Sequence, residues 1–399
     1  MEKKRILIAN KFYYPRGGDC IVAMNLERLL KAQGHDVAVF AMDYSENVDS
    51  GWNKYYVSQV EMTGGISSKF HAFKRIMGMG DIKSSFNKIL DDFKPHIVHL
   101  HNIHSYISPV VAKLAKKCGC RVVWTLHDYK LVCPSYACLY NEKPCERCIG
   151  HSKMSVLKTR CMKGSFAASA MAYIEARKWN RYVLDRYADA FVCPSRFMAS
   201  KLLKDGFNTE KINVVCNHID PEKLALFNTQ DTTREDFYVY VGRLSSEKGV
   251  ETLLNVASRL PYTLKLAGDG PLMQRLEKQF KGNDNIEFLG HQNSQQVAML
   301  LSKARFSVVP SEWYENNPLS VIESLCAGTP VVGARIGGIP ELLNDDNGIT
   351  FTSGSREELT TAINNAFSTH WNHDIIKDTA ITRFSPDEHL KQILTVYGM

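Results

Sequence analysis

The 399-residue chain predicts an α/β protein made of two parallel-sheet domains. Short apolar runs such as Arg5–Ala9 and Phe237–Val241 recur between amphipathic stretches of helical period. A polar, turn-rich stretch at 217–235 separates two such series and reads as an interdomain connection. Most of the runs stop at glycine, histidine or aspartate, the residue types expected where α/β sheets bind ligands, beyond the carboxyl ends of their strands. The expected boundaries are 1–220 for the first domain, with a Cys-rich insert at 129–164, then 236–375, then a helical tail at 376–399.

Arg5–Ala9 reads as a buried strand, followed by the turn Tyr14-Pro15-Arg16-Gly17-Gly18-Asp19, a helix from Ile21 to Gln33 closed by Gly34, and a strand at His35–Ala41. Gly17-Gly18 either makes a simple tight turn or lets the backbone approach a ligand phosphate or acceptor. It lacks the G-x-G-x-x-G spacing of a dinucleotide site. Ile66, Phe70, Phe73, Ile76 and Met77 recur at helical spacing beside Lys69, Lys74 and Arg75. That pattern suits either a helix lying on anionic lipid or one packed on its own domain. The strands Pro95–Leu100 and Arg121–Leu126 end in His99-Leu100-His101-Asn102 and His127-Asp128-Tyr129, with a helix at Ser108–Lys117 between them. His127 is the strongest candidate, because Val122–Leu126 delivers it straight to the edge, whereas His99 alternates with apolar neighbours and reads as structural.

In the insert, Cys145-x-x-Cys148 has the spacing of half a zinc site, which Cys133 or Cys138 with Cys161 could complete. Free thiols and a disulfide are the alternatives. A basic helix is expected over 165–187, then a strand at Ala190–Pro194, a helix at Phe197–Lys204 and a strand at Lys211–Cys216.

The second series opens with Phe237–Val241 and the loop Gly242-Arg243-Leu244-Ser245-Ser246-Glu247-Lys248-Gly249, with a helix from Val250. Arg243 and Lys248 there suit a diphosphate: a planar fork, a point charge and a helix terminus. Three more strands end in Gly268-Asp269-Gly270, Gly290-His291 and Pro310-Ser311. A further strand at Thr329–Gly333 leads to Gly337-Gly338-Ile339-Pro340-Glu341, and Ile349–Phe351 is a short last strand. In 310–328, Glu315 falls in a loop and Glu323 in a helix, with Asn317 as N-cap and Pro318 at the first helical position. The free amides of Leu319 and Ser320 favour an anion between two carboxylates that accept hydrogen bonds from hydroxyls. A sugar linked to a diphosphate fits that description. The final helix starts at Ser385-Pro386.

Apolar content of 44% and charge of 23% are those of a globular protein. The start runs directly into a strand with no signal peptide, and no apolar run approaches the ~20 residues of a membrane span. A cytoplasmic location is therefore expected. Residues 1–230 carry 34 Lys+Arg and 21 Asp+Glu, net +13, whereas 231–399 carry 15 and 21, net −6. The basic half suits an anionic membrane surface or an anionic acceptor; with no nucleic-acid motif present, nucleic acid is not an expected partner. Eleven cysteines, an odd number and mostly in apolar segments, argue for reduced thiols over a disulfide framework.

Taken in order, several motifs resemble the family 4 retaining glycosyltransferases. They are Gly17-Gly18, His127-Asp128, Gly242-Arg243-Leu244 with Glu247-Lys248-Gly249, Glu315-x7-Glu323 with Pro318, Gly328-x-Pro330-Val331-Val332 and Gly337-Gly338-Ile339-Pro340-Glu341. The resemblance covers nearly the whole chain. It implies a GT-B fold, with two Rossmann-like domains facing across a cleft and a C-terminal helix crossing back to the first. It further implies that Arg243 and Lys248 bind the donor diphosphate, Glu315 holds hydroxyls of the transferred sugar, Glu323 holds the ribose and His127 approaches the reacting sugar. Amides around Asn317–Leu319 would reach the phosphates, His291 would touch the base, and Gly17, Gly18, Gly268, Asn316 and Pro318 complete the donor contacts. Asp19 stands where the family more often has Glu, and the Cys-rich insert occurs in only part of the family.

Glycosyl transfer from such a donor passes through an oxocarbenium-like state and expels a nucleoside diphosphate, so positive charge must stabilise the departure. The sequence has no Asp pair at a strand end beside Arg243; Asp91-Asp92 and Asp345-Asp346 fall on helix ends or turns. The expectation is therefore a transfer without a catalytic metal or cofactor, with retention by front-side attack. The expected partners are a UDP- or GDP-sugar, a lipid-linked or polysaccharide acceptor in envelope glycan assembly, and the inner face of the cell membrane. Transfer to a small soluble acceptor, a catalytically silent sugar-nucleotide binder and a sugar-nucleotide epimerase are the alternatives. The intact set His127, Arg243, Lys248, Glu315 and Glu323 argues against the silent binder, and the Glu315/Glu323 pair against the epimerase.

Overall fold

The computed structural model describes residues 2–61, 64–230 and 233–399. Met1 and positions 231 and 232 of the expected connection lie outside the described residues. The chain divides into two compact units, one of residues 1–140, 145–216 and 389–399, the other of 141–144 and 217–388.

The first unit holds a six-stranded sheet in the order Asp36–Phe40, Arg5–Ala9, Ile97–Leu100, Arg121–Thr125, Ala190–Cys193, Ile212–Val214. All its pairings are parallel. Every carboxyl end therefore lies at one edge, and near-continuous apolar sequences fill strands covered on both faces. The helix Pro386–Tyr397 packs here. Its Leu390, Ile393, Leu394 and Tyr397 join Ile6, Ile8, Leu26 and Val123 in one buried cluster. Each such side chain contributes about 1.5–3 kcal/mol of burial, which ties the last helix to the first strand.

The second unit repeats the design: Ile286–Gly290, Thr263–Ala267, Phe237–Val241, Ser307–Val309, Val331–Ala334, Gly348–Phe351, again all parallel. Strand order reverses around the central Phe237–Val241, and the Gly242–Gly249 loop leaves from that strand. Among the described residues, no helix is long and apolar enough to cross a membrane.

Two local expectations change, and another, open between two readings, is narrowed. The single helix expected over 165–187 is two, Phe166–Lys178 and Arg181–Tyr187. Trp179 is buried at the break, and the Asn180 side chain caps the second helix by accepting from the Val183 amide. The helix Ile66–Ile76 packs on its own unit: Ala72 and Ile76 are buried, and Arg75 is wholly enclosed, ion-paired to Asp81 at 2.8 Å and donating to Tyr106 O and Ser58 O. Arg75 is thus unavailable to a lipid surface, while Phe70 beneath Lys74 stays exposed. The helix after Glu315 begins at Leu319, with Pro318 extended before it. Asn317 does not cap it. Its Oδ1 accepts the Asn217 amide at 2.9 Å and its carbonyl accepts Asn217 Nδ2 at 2.9 Å, so a tertiary partner displaces the local cap.

Candidate active site

In the second unit the loops beyond the strands converge on Glu315. Its carboxylate accepts from Lys248 Nζ at 2.7 Å and from Ser311 Oγ at 2.7 Å, and only 7% of the residue is exposed. Burial works to raise this carboxyl, but Lys248, with Trp313 and Ser311, outweighs it and holds it below 4.5. The Lys248 ammonium also lies 5.0 Å from the Trp313 ring centroid. Two glycines make the convergence possible. Gly249, at φ +67°, passes so close to Pro310 O that a Cβ would sit 1.9 Å away, and Gly337, at φ +60°, would place one 2.1 Å from Glu315 O. The Gly338 amide then donates to Glu315 O at 2.8 Å.

Around this pair, Arg243 is exposed at the end of Phe237–Val241, and Tyr240 Oη donates to its carbonyl. The amides of Leu319 and Ser320 find no acceptor among the described residues. Glu323, 8% exposed, accepts from Lys223 Nζ at 2.5 Å. His291 is exposed beyond Ile286–Gly290, and Gly268 lies against Gly242 O. The second unit therefore gathers Arg243, Lys248, Glu315, Asn317 and the start of the Leu319–Cys326 helix around one sheet edge. The sequence assigned no site role to Lys223, Asn217 or Ser311. Lys223 and Asn217 lie a hundred residues from their partners, so no local pattern could mark them, although Ser311 was visible at its strand end.

The first unit carries His127, Gly17 and Gly18 at its own carboxyl edge. His127 Nε2 meets His101 Nδ1 at 2.9 Å, and the two rings stack at 5.2 Å; His101 in turn stacks on His99 at 4.5 Å. His99 is fully buried between Tyr397 Oη at 2.7 Å and Thr125 Oγ1 at 2.7 Å, the structural role expected of it. Burial pushes His127 down to about 4, with Asp19 working against it and Lys11 with it, so the stack is neutral. Asp19 sits in the first turn of the Gly18–Ala32 helix, accepts from Asn102 Nδ2 at 2.9 Å and faces Lys11 at 3.8 Å. Burial raises the Asp128 carboxyl. Gly17 is an extended N-cap with no side-chain cap bond.

Residues 16–223 match the family described as Glycosyltransferase Family 4, and residues 224–381 match that described as Glycosyl transferases group 1. The chain belongs to the family 4 glycosyltransferases. It is 29% identical over 354 residues to an uncharacterized 42.6 kDa protein in the cps region of Klebsiella pneumoniae, covering 84% of this chain and 87% of that one. It is 26% identical over 420 residues to an uncharacterized glycosyltransferase of Methanocaldococcus jannaschii, covering 96% and 95%. Among solved structures, the apo lipopolysaccharide outer core galactosyltransferase WaaB matches with a TM-score of 0.67 at 17% identity, covering 98% of each chain. The Anabaena protein HepE in complex with UDP and glucose matches with 0.64 at 17% identity, covering 99% of each. These likenesses give the glycosyltransferase its GT-B fold.

The Cys-rich insert of this glycosyltransferase departs from the zinc expectation. All eleven cysteines are free thiols, and among the described residues no three His, Cys, Asp or Glu side chains group to hold a metal ion. Cys133, Cys145 and Cys161 all act electrostatically on Cys148, so the four are neighbours without forming such a group. In the 129–136 turn, Cys133 donates its amide to Tyr129 O, and its Sγ meets Ser135 Oγ at 3.2 Å. A hydrogen bond from Cys138, with Ser135, pulls the Cys133 thiol down to about 6 and pushes Cys138 up.

Proposed function

We propose that this glycosyltransferase moves a hexose-type sugar, with retention and without a catalytic metal, from a UDP- or GDP-sugar to a hydroxyl of a lipid-linked or polysaccharide acceptor. The observation that carries the reading is the buried Lys248–Glu315 pair beside exposed Arg243 and the uncapped start of the Leu319–Cys326 helix. Arg243, Lys248 and the helix amides supply the positive charge that a departing diphosphate needs. Glu315 holds hydroxyls of the transferred sugar, Glu323 the ribose and His291 the base, with Asn316 and Gly268 lining the donor. His127 is assigned to the reacting sugar, and Gly17-Gly18 to close backbone approach. In the reaction, the bond from the anomeric carbon to the β-phosphate oxygen breaks and the acceptor oxygen bonds to that carbon from the same face. The acceptor's proton passes to the departing phosphate. The similar proteins support this class: HepE is bound to UDP-glucose, WaaB is a lipopolysaccharide galactosyltransferase, and one relative lies in a cps region.

The net +13 of residues 1–230 supports a cytoplasmic protein docked on the inner face of an anionic membrane. Exposed Phe166 and Tyr182, each beneath an arginine, suit that contact better than the partly enclosed 66–76 helix. A hydrolysis screen over UDP- and GDP-sugars tests the donor: slow release of one nucleotide without acceptor is expected, and none from any donor would sink the reading. An inverted anomeric bond by product NMR would refute front-side attack.

A further inference from the structure

Beyond the first three strands of the first sheet, each loop delivers an aromatic side chain to the same place. Phe12 and Tyr14 follow Arg5–Ala9, Tyr44 follows Asp36–Phe40, and Tyr106 follows Ile97–Leu100. Phe12 lies 5.7 Å from Tyr14, 5.2 Å from Tyr44 and 6.2 Å from Tyr106 between ring centroids, with the planes tilted by 50–63°. Rings that only fill a core are enclosed, but Tyr14, Tyr44 and Tyr106 are half-buried. Their three hydroxyls find no hydrogen-bond partner among the described residues. Tyr13, Tyr55, Tyr56, Tyr240 and Tyr397 instead commit theirs to Glu27, Asp92, Ser50, the Arg243 carbonyl and His99.

Two cations sit within this patch. Arg16 lies 4.1 Å over the Phe12 ring and is exposed; Lys11 lies 5.5 Å from Phe12 and 5.6 Å from Tyr106. The carboxylate facing Lys11, Asp19, stands 3.8 Å away, beyond hydrogen-bond reach. Tilted ring faces present negative π density to the C–H bonds of a pyranose. Phenol hydroxyls can serve its hydroxyls, and the cations offer charge-assisted bonds to an anion.

We propose that Lys11, Phe12, Tyr14, Arg16, Tyr44 and Tyr106 form an acceptor subsite for an anionic saccharide, its ring on the aromatic faces and its phosphate or carboxylate on Lys11 and Arg16. This rests on the chain being a glycosyltransferase, and it names the class of acceptor. The test is saturation-transfer NMR on the whole protein, with saturating nucleoside diphosphate filling the donor site. The probes are methyl glucoside, methyl glucuronide and methyl glucoside 6-phosphate. At least one anionic probe binds about tenfold or more tighter than the neutral glucoside. Preference for the phosphate marks a phosphate-linked acceptor, and preference for the carboxylate a uronic glycan. Tyr44→Ala with Tyr106→Ala lowers binding of all three about tenfold, and Arg16→Gln, at an exposed side chain, removes the anion preference. Equal binding of neutral and anionic probes, or unchanged binding in the double variant, overturns the proposal. Should the double variant not fold, Arg16→Gln still decides the anionic part and Tyr44→Ala alone the ring. Failure of every nucleoside diphosphate to bind the wild type counts against the donor reading, because the saccharide probes report on a different unit.

Discussion

At the edge of the second sheet, Glu315 is buried and yet held ionised by a lysine; at the same edge of the first sheet, His127 is sheltered and held neutral beside two other histidines. Both positions follow a short strand of a parallel sheet, one of three residues before Glu315 and one of five before His127, so backbone geometry does not separate them. Their partners do. Lys248 arrives from a neighbouring loop through the close approach at Gly249 and offsets the desolvation of Glu315. His127 meets another imidazole, which offers a hydrogen bond and no compensating charge, so burial wins. The Lys248–Glu315 pair is prepared to handle charge, and the His127–His101 stack to present neutral hydrogen-bonding groups.

The largest way to break this contrast is Lys248→Ala. It strands a buried carboxylate, so stability falls by about 3–5 kcal/mol in urea melts, and transfer falls by about 10²-fold or more. Lys248→Met combined with Glu315→Gln removes both charges. It restores most of the stability and none of the activity. Near-native activity in either variant would show that the pair is only structural.

A second, smaller effect is acid sensitivity with two windows. His127 has a folded value near 4, below its ordinary 6.5, so the unfolded chain binds more protons there. Its contribution is complete above pH 6.5 and is lost as pH falls toward 4, about 3 kcal/mol from this residue. Glu315 is also depressed, so its contribution is present above pH 4.5 and disappears only at lower pH. Hydrogen exchange across pH 7 to 4 therefore shows the first unit losing protection before the second, and His127→Gln lessens that loss without abolishing it, because burial also holds His99, His101 and His104 neutral. Simultaneous loss in both units would contradict the assignment.

The smallest effect concerns Lys223, which holds Glu323 at 2.5 Å. Lys223→Ala raises the donor KM about two- to tenfold with kcat nearly unchanged. An equal fall in kcat would move Lys223 into the chemistry.

Much of this was legible in the residues. Glycines and polar clusters mark strand ends because they punctuate apolar runs, and the parallel sheet brings such ends to one edge. His127, Arg243, Lys248 and Glu315 could be named that way. Glu323 was legible as a helix residue, but its lysine partner was not. Asn317 shows the converse error. An Asn-Pro pair reads as a helix start, yet Asn217 claims both its side chain and its carbonyl. The Cys-rich insert is a similar case: spacing left zinc, free thiols and a disulfide open, and did not reveal that Cys133 is turned toward Ser135 and Cys138.

By itself the sequence determined the two α/β series, the loops that end their strands and the residue types those loops carry, because period and turn chemistry are local. Only the tertiary structure decided which of those residues share a proton or a charge. Desolvation and pairing depend on neighbours a hundred residues away in the chain, as for Asn217 with Asn317 and Lys223 with Glu323, and no local pattern encodes that distance.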